Sequence, residues 1–220
     1  MKLYTFGIQR TCTNLANKLI LTNFYSVLGN INDAGHWSWK HCSDAEQATA
    51  NISSQTPLIF CYKTPLLWIE SILRDDVGFI NRNGLTNYPD YHDKELLVSN
   101  SSYTFSIPIA IDNWIKFHIE WMKYIHRSNY VIMSQRKICD QPGAVSILAN
   151  IENKLKMIKK GSQWLLFKDA VDYANTQFNQ DFEKRKSNYL QNKTTNLTNK
   201  HIEYINNKIP QEVIDFYEKE

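Results

Sequence analysis

The sequence predicts an α/β fold in which a short parallel sheet is flanked by helices. Three observations carry that expectation. Short apolar runs alternate with stretches of helical spacing through the first 75 residues, the order expected of consecutive β-α-β units. Five of the six residues in Pro57-Leu-Ile-Phe-Cys-Tyr62 are apolar or aromatic, as a strand covered on both faces requires. From about residue 168 onward the chain reads as a string of amphipathic helices, so a helical C-terminal third is expected within one domain spanning residues 1–220.

Each element has its own signal. Leu3-Tyr-Thr-Phe6 is the first strand, and Gly7-Ile-Gln-Arg-Thr-Cys-Thr13 turns the chain after it. Leu15, Leu19, Ile20, Phe24, Val27 and Leu28 then recur at three- and four-residue steps, predicting one helix that Gly29 stops. His36-Trp-Ser-Trp-Lys-His-Cys42 alternates aromatic with polar side chains and predicts a second strand. Ser43-Asp-Ala-Glu46 has the spacing of a capping box ahead of a short helix. Pro57 to Tyr62 is the third strand. Pro65 follows where a first helical turn tolerates it, with Trp68, Ile69, Ile72 and Leu73 behind.

Residues 76–108 show no clear period and carry Gly, Asn, Pro and Ser, which predicts a lid or acceptor-binding loop. Its aromatic residues Phe79, Tyr88, Tyr91, Tyr103 and Phe105 suit a carbohydrate, phenol or lipid. A helix over residues 112–127 places Trp114, Phe117, His118, Trp121, Tyr124 and Ile125 on one stripe, read first as core. Tyr130-Val-Ile-Met133 is a fourth strand, and Gln141-Pro-Gly143 precedes a helix carrying Val145, Leu148 and Ile151.

Composition excludes several classes. With 25 basic and 22 acidic residues scattered among one another, the net charge of +3 predicts no nucleic-acid polymer as partner. Aromatic residues make up 13% of the chain, too many for a disordered one. No apolar run approaches the roughly 18 residues of a membrane span. The first six residues are already strand-like and leave no room for a signal peptide, and Cys12, Cys42, Cys61 and Cys139 form no C-x-x-C. Reduced thiols and a cytoplasmic location are expected. His36, His92, His118, His126 and His201 show no ligand spacing, so no metal is expected.

A strand that passes through a glycine into a helix N-terminus builds an anion site, because the first backbone N–H groups and the helix dipole point at it. Tested as a Walker A loop, the segment has Thr13 where the phosphate lysine belongs and Asn14 in place of the Mg²⁺-binding hydroxyl. The basic residue sits inside the loop instead, at Arg10. Cys12 at a helix N-terminus invites a reactive-thiol reading, but Cys-x₅-Arg is absent: Lys18 stands six residues after Cys12, and Ala48 six after Cys42. Phosphatase chemistry is excluded.

Gly7-Ile-Gln-Arg-Thr-Cys-Thr-Asn14 resembles the 5′-phosphosulfate loop of sulfotransferases, approximately G-x-P-[RK]-S-G-T-[TN], with Gln9 for proline and Cys12 for glycine. Lys63-Thr-Pro65 followed by Ser71 is similar to that family's R-x-P-x-x-x-x-x-S, with the proline in register and lysine replacing arginine. Trp39-Lys40-His41 is similar to the Lys/His pair that the family places beside the sulfuryl group. A looser likeness runs through Asn113-Trp114, Trp121, the strand at Tyr130, and Phe182, Arg185 and Tyr189.

The resemblance implies a sulfotransferase of the bacterial or phage type with a P-loop NTPase-like fold. Such an enzyme moves a sulfuryl group from 3′-phosphoadenosine 5′-phosphosulfate (PAPS) to a hydroxyl or amine of a small-molecule, lipid or glycan acceptor, leaving 3′-phosphoadenosine 5′-phosphate (PAP), without metal. By the same resemblance Gln9, Arg10, Thr11, Cys12, Thr13, Asn14, Lys63 and Ser71 bind the cofactor, and Arg10, Lys40 and His41 are catalytic. His41 is the preferred base because imidazole titrates nearest neutrality. Lys40 contacts the departing group in this reading. Two alternatives stay open: a small P-loop kinase using ATP, and a nucleotide-binding module without turnover. The basic run Lys184-Arg185-Lys186 reads as a solvated helix face.

Overall fold

A computed structural model describes residues 1–8, 11–29, 41–74, 93–99, 103–125, 129–166, 187–188 and 190–219. Gln9, Arg10, Lys40, most of the expected second strand, Phe79, Tyr88, Tyr91, Phe182, Tyr189 and the basic run at 184–186 lie outside them. In chain order the strands are β1 (Lys2–Phe6), β2 (Val27–Leu28), β3 (Leu58–Tyr62), β4 (Leu97–Ser99), β5 (Thr104–Ser106) and β6 (Tyr130–Ser134). The helices are α1 (Thr13–Asn23), α2 (Ala45–Thr49), α3 (Pro65–Leu73), α4 (Ile107–Ile125), α5 (Gln135–Cys139), α6 (Gln141–Leu155), α7 (Asn199–Lys208) and α8 (Gln211–Glu218).

A parallel sheet has the order β2-β1-β3-β6, while β4 and β5 form a separate antiparallel hairpin. The α/β class with a short parallel sheet between helices is therefore observed. Every residue of β3 is buried, because this strand is central and covered on both faces. Its side chains alternate between two cores. Leu58, Phe60 and Tyr62 join Trp68, Ile69 and Ile72 of α3, Trp114, Phe117 and Trp121 of α4, Ile205 of α7 and Tyr217 of α8. Ile59 and Cys61 face the other way, onto Ala16, Leu19 and Ile20 of α1 and Ile147, Leu148 and Ile151 of α6. The two C-terminal helices belong to the first core: the Tyr217 ring stacks on Tyr62 at 5.1 Å, and its hydroxyl donates to the His118 carbonyl at 2.8 Å.

Several expectations are corrected. The helix expected to continue through Val27 and Leu28 ends at Asn23, and those two residues pair in parallel with Lys2 and Leu3. Gly29 is not a helix stop but lies where a Cβ would come within 2.1 Å of the Tyr4 ring. Hydrophobic spacing alone cannot separate a long helix from a helix followed by a two-residue strand. At the end of the expected second strand, His41 lies in a turn and Cys42 in no regular element. The cap of α2 is Asp44, which accepts from the Gln47 N–H, and Ser43 is not the capping residue. α4 starts at Ile107 rather than residue 112, α6 starts at Gln141 itself, and α5 and the β4–β5 hairpin appear where no element was expected. Phe105, expected among the aromatic residues of an acceptor-binding loop, is 0% exposed and packs in the first core.

Candidate functional site

The sheet changes its direction of growth at β1. The chain leaves β1 for β2 on one side, then returns past β1 to β3 and on to β6. α1 covers one face and α3 the other. The carboxyl ends of β1 and β3 are thus a topological switch point, where open α/β sheets form their ligand crevice. Both phosphate-loop candidates of the sequence, residues 7–14 and 63–71, open there.

Phe6 pairs with Phe60 in register, which brings the chain after each strand side by side. A Cβ on Gly7 would lie 2.5 Å from Thr11 Oγ1 and 2.6 Å from the Cys61 carbonyl oxygen. A glycine is what lets this loop close against β3. Thr11, fully buried, holds the turn: its hydroxyl donates to the Ile8 carbonyl at 2.6 Å and its N–H to the same oxygen at 3.2 Å. With its proton committed there, the Thr11 hydroxyl shapes the loop, and donation toward the crevice passes to the start of α1. Cys12 precedes that helix with φ 65° and ψ 20°, the left-handed conformation in which glycine is at ease. It gives α1 no side-chain cap, and the first turn carries no acid. Thr13 is buried and Asn14 exposed at the first two helical positions.

α3 begins at the other side of the crevice. Thr64 precedes it without capping it, and Pro65 opens the first turn. By contrast, Asp44, Asp140 and Thr198 cap α2, α6 and α7. The short α5 and α8 share the lack of a side-chain cap. Lys63, only 5% exposed, donates from Nζ to Ser71 Oγ at 2.7 Å, so the two residues paired by sequence spacing meet in space. Ser71 passes its proton to the Leu67 carbonyl at 2.6 Å, and Arg74 Nη2 approaches the same hydroxyl at 3.5 Å. Two cationic side chains converge on the Ser71 hydroxyl.

His41 reaches the loop from the α2 side. Its Nδ1 stands 2.6 Å from the Gly7 carbonyl oxygen. A carbonyl only accepts, so Nδ1 carries the proton of the neutral ring and the lone pair resides on Nε2. Trp121 of α4 fixes the neighbouring backbone by donating from Nε1 to the Cys42 carbonyl at 2.9 Å. Burial pushes the Cys42 thiol up, against the smaller effect of its hydrogen bond to Asp44, so this sulfur is poorly suited to act as a nucleophile. Gln9, Arg10 and Lys40 lie outside the described residues.

Sequence reasoning missed the polar contacts behind α3. Glu70 is 2% exposed, and its carboxylate accepts from Thr195 Oγ1 at 2.6 Å, Asn196 Nδ2 at 2.7 Å and the backbone N–H groups of both residues. Thr64 Oγ1 donates to Asn192 Oδ1 at 2.5 Å. Together these bonds tie residues 192–196 along the helix that bears Ser71. The visible signal was one acid inside the apolar run of α3, since a buried carboxylate demands partners. Arg74 had a signal too, standing three residues beyond Ser71 on the same helical face.

His118 belongs to the core. Burial pushes its imidazole down to about 3, the hydrogen bond from Nδ1 to the Trp114 carbonyl only partly opposing this. Among the described residues, no three His, Cys, Asp or Glu side chains gather as a metal-binding group, and all four cysteines are free thiols. No helix among them is long and apolar enough to cross a membrane.

Compared with protein-family models, curated proteins and solved structures, the chain finds no match. The site therefore has to be read from its own chemistry.

Proposed function

We propose that the chain is a sulfotransferase that moves a sulfuryl group from PAPS to an acceptor hydroxyl or amine. The observation that carries this reading is the Lys63–Ser71 contact at 2.7 Å beside the Gly7 loop. With the Gly7 loop it supports two anion cradles at the carboxyl ends of adjacent strands, as a nucleotide with separate 5′ and 3′ anionic groups needs. The backbone N–H groups opening α1, together with Arg10 and Thr13, would hold the 5′-phosphosulfate end, with Gln9, Thr11, Cys12 and Asn14 forming the loop around it. Lys63, Ser71 and Arg74 would hold the 3′-phosphate.

In the proposed reaction the bond between sulfur and the bridging oxygen of the 5′-phosphate breaks, and a new bond forms from sulfur to the acceptor. His41 Nε2 takes the acceptor proton, because Gly7 holds the Nδ1 proton. Negative charge grows on the departing phosphate, where the α1 N–H groups and the Arg10 guanidinium stabilise it. Lys40 is the second candidate for that contact. The transferred SO₃ unit is neutral, which relaxes the demand for the Mg²⁺ clamp of phosphoryl transfer. Thr13 and Asn14 at the Walker A lysine and hydroxyl positions weigh against the ATP-using kinase.

The test is a thermal-shift comparison of PAP, ATP and GDP, each with and without Mg²⁺, followed by radiolabelled sulfuryl transfer from PAPS to hydroxyl and amine acceptors. PAP is expected to give the largest shift, independent of metal. A Mg²⁺-dependent preference for ATP overturns the reading in favour of the kinase. Binding of PAP with no transfer to any acceptor reduces it to a nucleotide-binding module.

A further inference from the structure

At the opposite end of the sheet from the crevice, two distant stretches of chain meet in a corner that is both apolar and cationic. Among the described residues β2 is an edge strand of the sheet. Beside it Tyr25 donates its N–H to the Ile158 carbonyl at 2.9 Å, and Lys160 donates its own to Asn23 at 2.8 Å. Asn23 Nδ2 bonds the Leu165 carbonyl at 2.8 Å, and Lys160 Nζ the Leu21 carbonyl at 2.5 Å. Residues 21–28 and 156–165 therefore form one surface. It exposes Ile158 at 70%, Val27 at 65%, Tyr25 at 60%, Leu165 at 44% and Leu21 at 40%, most of the large apolar side chains exposed among the described residues. Such a cluster marks an interaction surface rather than scattered exposure.

Charge decides what covers it. Residues 1–32 and 153–168 contain no aspartate or glutamate. Lys159 stands over the Trp164 ring at 3.7 Å and Lys160 over Tyr25 at 5.8 Å, while Lys2 pairs in register with Val27 and Lys156 lies two residues before Ile158 in the chain. A second copy of this chain would set lysine against lysine. A nucleic acid would match the lysines but leave Ile158, Val27 and Leu165 in water. An anionic bilayer matches both, since aliphatic and aromatic tips enter the interface while lysine stems lie along them with the ammonium at headgroup level.

We propose that this corner docks the protein on an anionic lipid surface. Val27 lies opposite Lys2 at the amino end of β1, so docking there leaves the carboxyl ends of β1 and β3 turned away from the lipid.

The test is flotation of the full chain with phosphatidylcholine vesicles, with and without about 30% phosphatidylglycerol, at low and high salt. The chain is expected to float with the anionic vesicles only and to be released by salt. Lys159→Ala with Lys160→Ala is expected to lower the partition coefficient by about 25-fold, roughly fivefold for each lysine removed. Val27→Ser with Ile158→Ser is expected to lower it by at least about tenfold, with melting temperature unchanged because both side chains are exposed. Failure of the wild-type chain to float overturns the proposal. So does equal flotation of the Val27→Ser, Ile158→Ser variant, which would reduce the corner to a general polyanion surface; single-stranded RNA binding then serves as its readout. A dimer in sedimentation that this same variant dissolves also overturns it, assigning the corner to self-association.

Discussion

His41 Nδ1 lies 2.6 Å from the carbonyl oxygen of Gly7, so the turn before α2 and the loop after β1 are held by one hydrogen bond. That contact orients the imidazole and fixes which nitrogen keeps the proton. His41→Gln retains a polar side chain but has no group able to take a proton near neutrality. Its kcat for sulfuryl transfer is expected to fall by about 10²–10⁴-fold. PAP affinity measured by calorimetry should stay within a few-fold of wild type. Unchanged turnover would remove His41 from the role of base.

Lys63 and Ser71 are expected to govern recognition of the 3′-phosphate alone. Lys63→Met should weaken PAP binding by at least about tenfold, since a charge-assisted hydrogen bond contributes roughly 1.5–3 kcal/mol. Binding of adenosine 5′-phosphate, which lacks the 3′ group, should change little. Titrating both nucleotides against both proteins gives the comparison. Equal losses for the two ligands would place Lys63 elsewhere than at the 3′ end.

The loop after β1 makes opposite predictions for two of its residues. Cys12→Gly relieves a side chain from the left-handed region, where φ is 65°, and should raise stability by about 1 kcal/mol in urea unfolding. Gly7→Ala instead forces a Cβ to within 2.6 Å of the Cys61 carbonyl. It should destabilise by about 2 kcal/mol or more and abolish PAP binding, because the loop must lift off β3. A neutral Gly7→Ala would show that the loop is not packed as described.

His118 gives a pH signature separate from the crevice. Its ring stacks on Trp114 at 3.8 Å, and Nε2 is buried with no hydrogen-bond partner among the described residues. Burial holds the folded-state value at about 3, below the ordinary 6.5. Between those values the unfolded chain binds a proton that the native state refuses. Stability is therefore complete above about pH 6.5 and should fall by up to about 1.4 kcal/mol per pH unit as the pH drops toward 3. His118→Phe keeps an aromatic ring and should flatten this slope, read from urea midpoints at neutral and acidic pH. An unchanged slope would assign the acid sensitivity to other groups.

Glu70 tests whether residues 192–196 are tied to α3 as described. Glu70→Gln keeps the shape but loses the charge that four donors share. It is expected to cost about 2 kcal/mol of stability and to raise amide exchange at Thr195 and Asn196. Protection unchanged at those two amides would contradict the tie.

What the sequence determined by itself was local. Apolar runs marked β1, β3 and β6, the first stopped by Gly7 and the second set between Pro57 and Pro65, and the Lys63 to Ser71 spacing already implied one strand-to-helix junction. These signals survive because period, caps and turn chemistry act within a few residues. Only the tertiary structure decided that Val27 and Leu28 leave their helix to pair with β1, that Phe105 belongs to the core, and that Gly7 must abut Cys61. It alone brought His41 to the Gly7 carbonyl and Thr195 and Asn196 to Glu70, 125 and 126 residues away from that carboxylate in the chain. Strand order and burial of a polar group are properties of the packed whole, and no window of sequence contains the partners that set them.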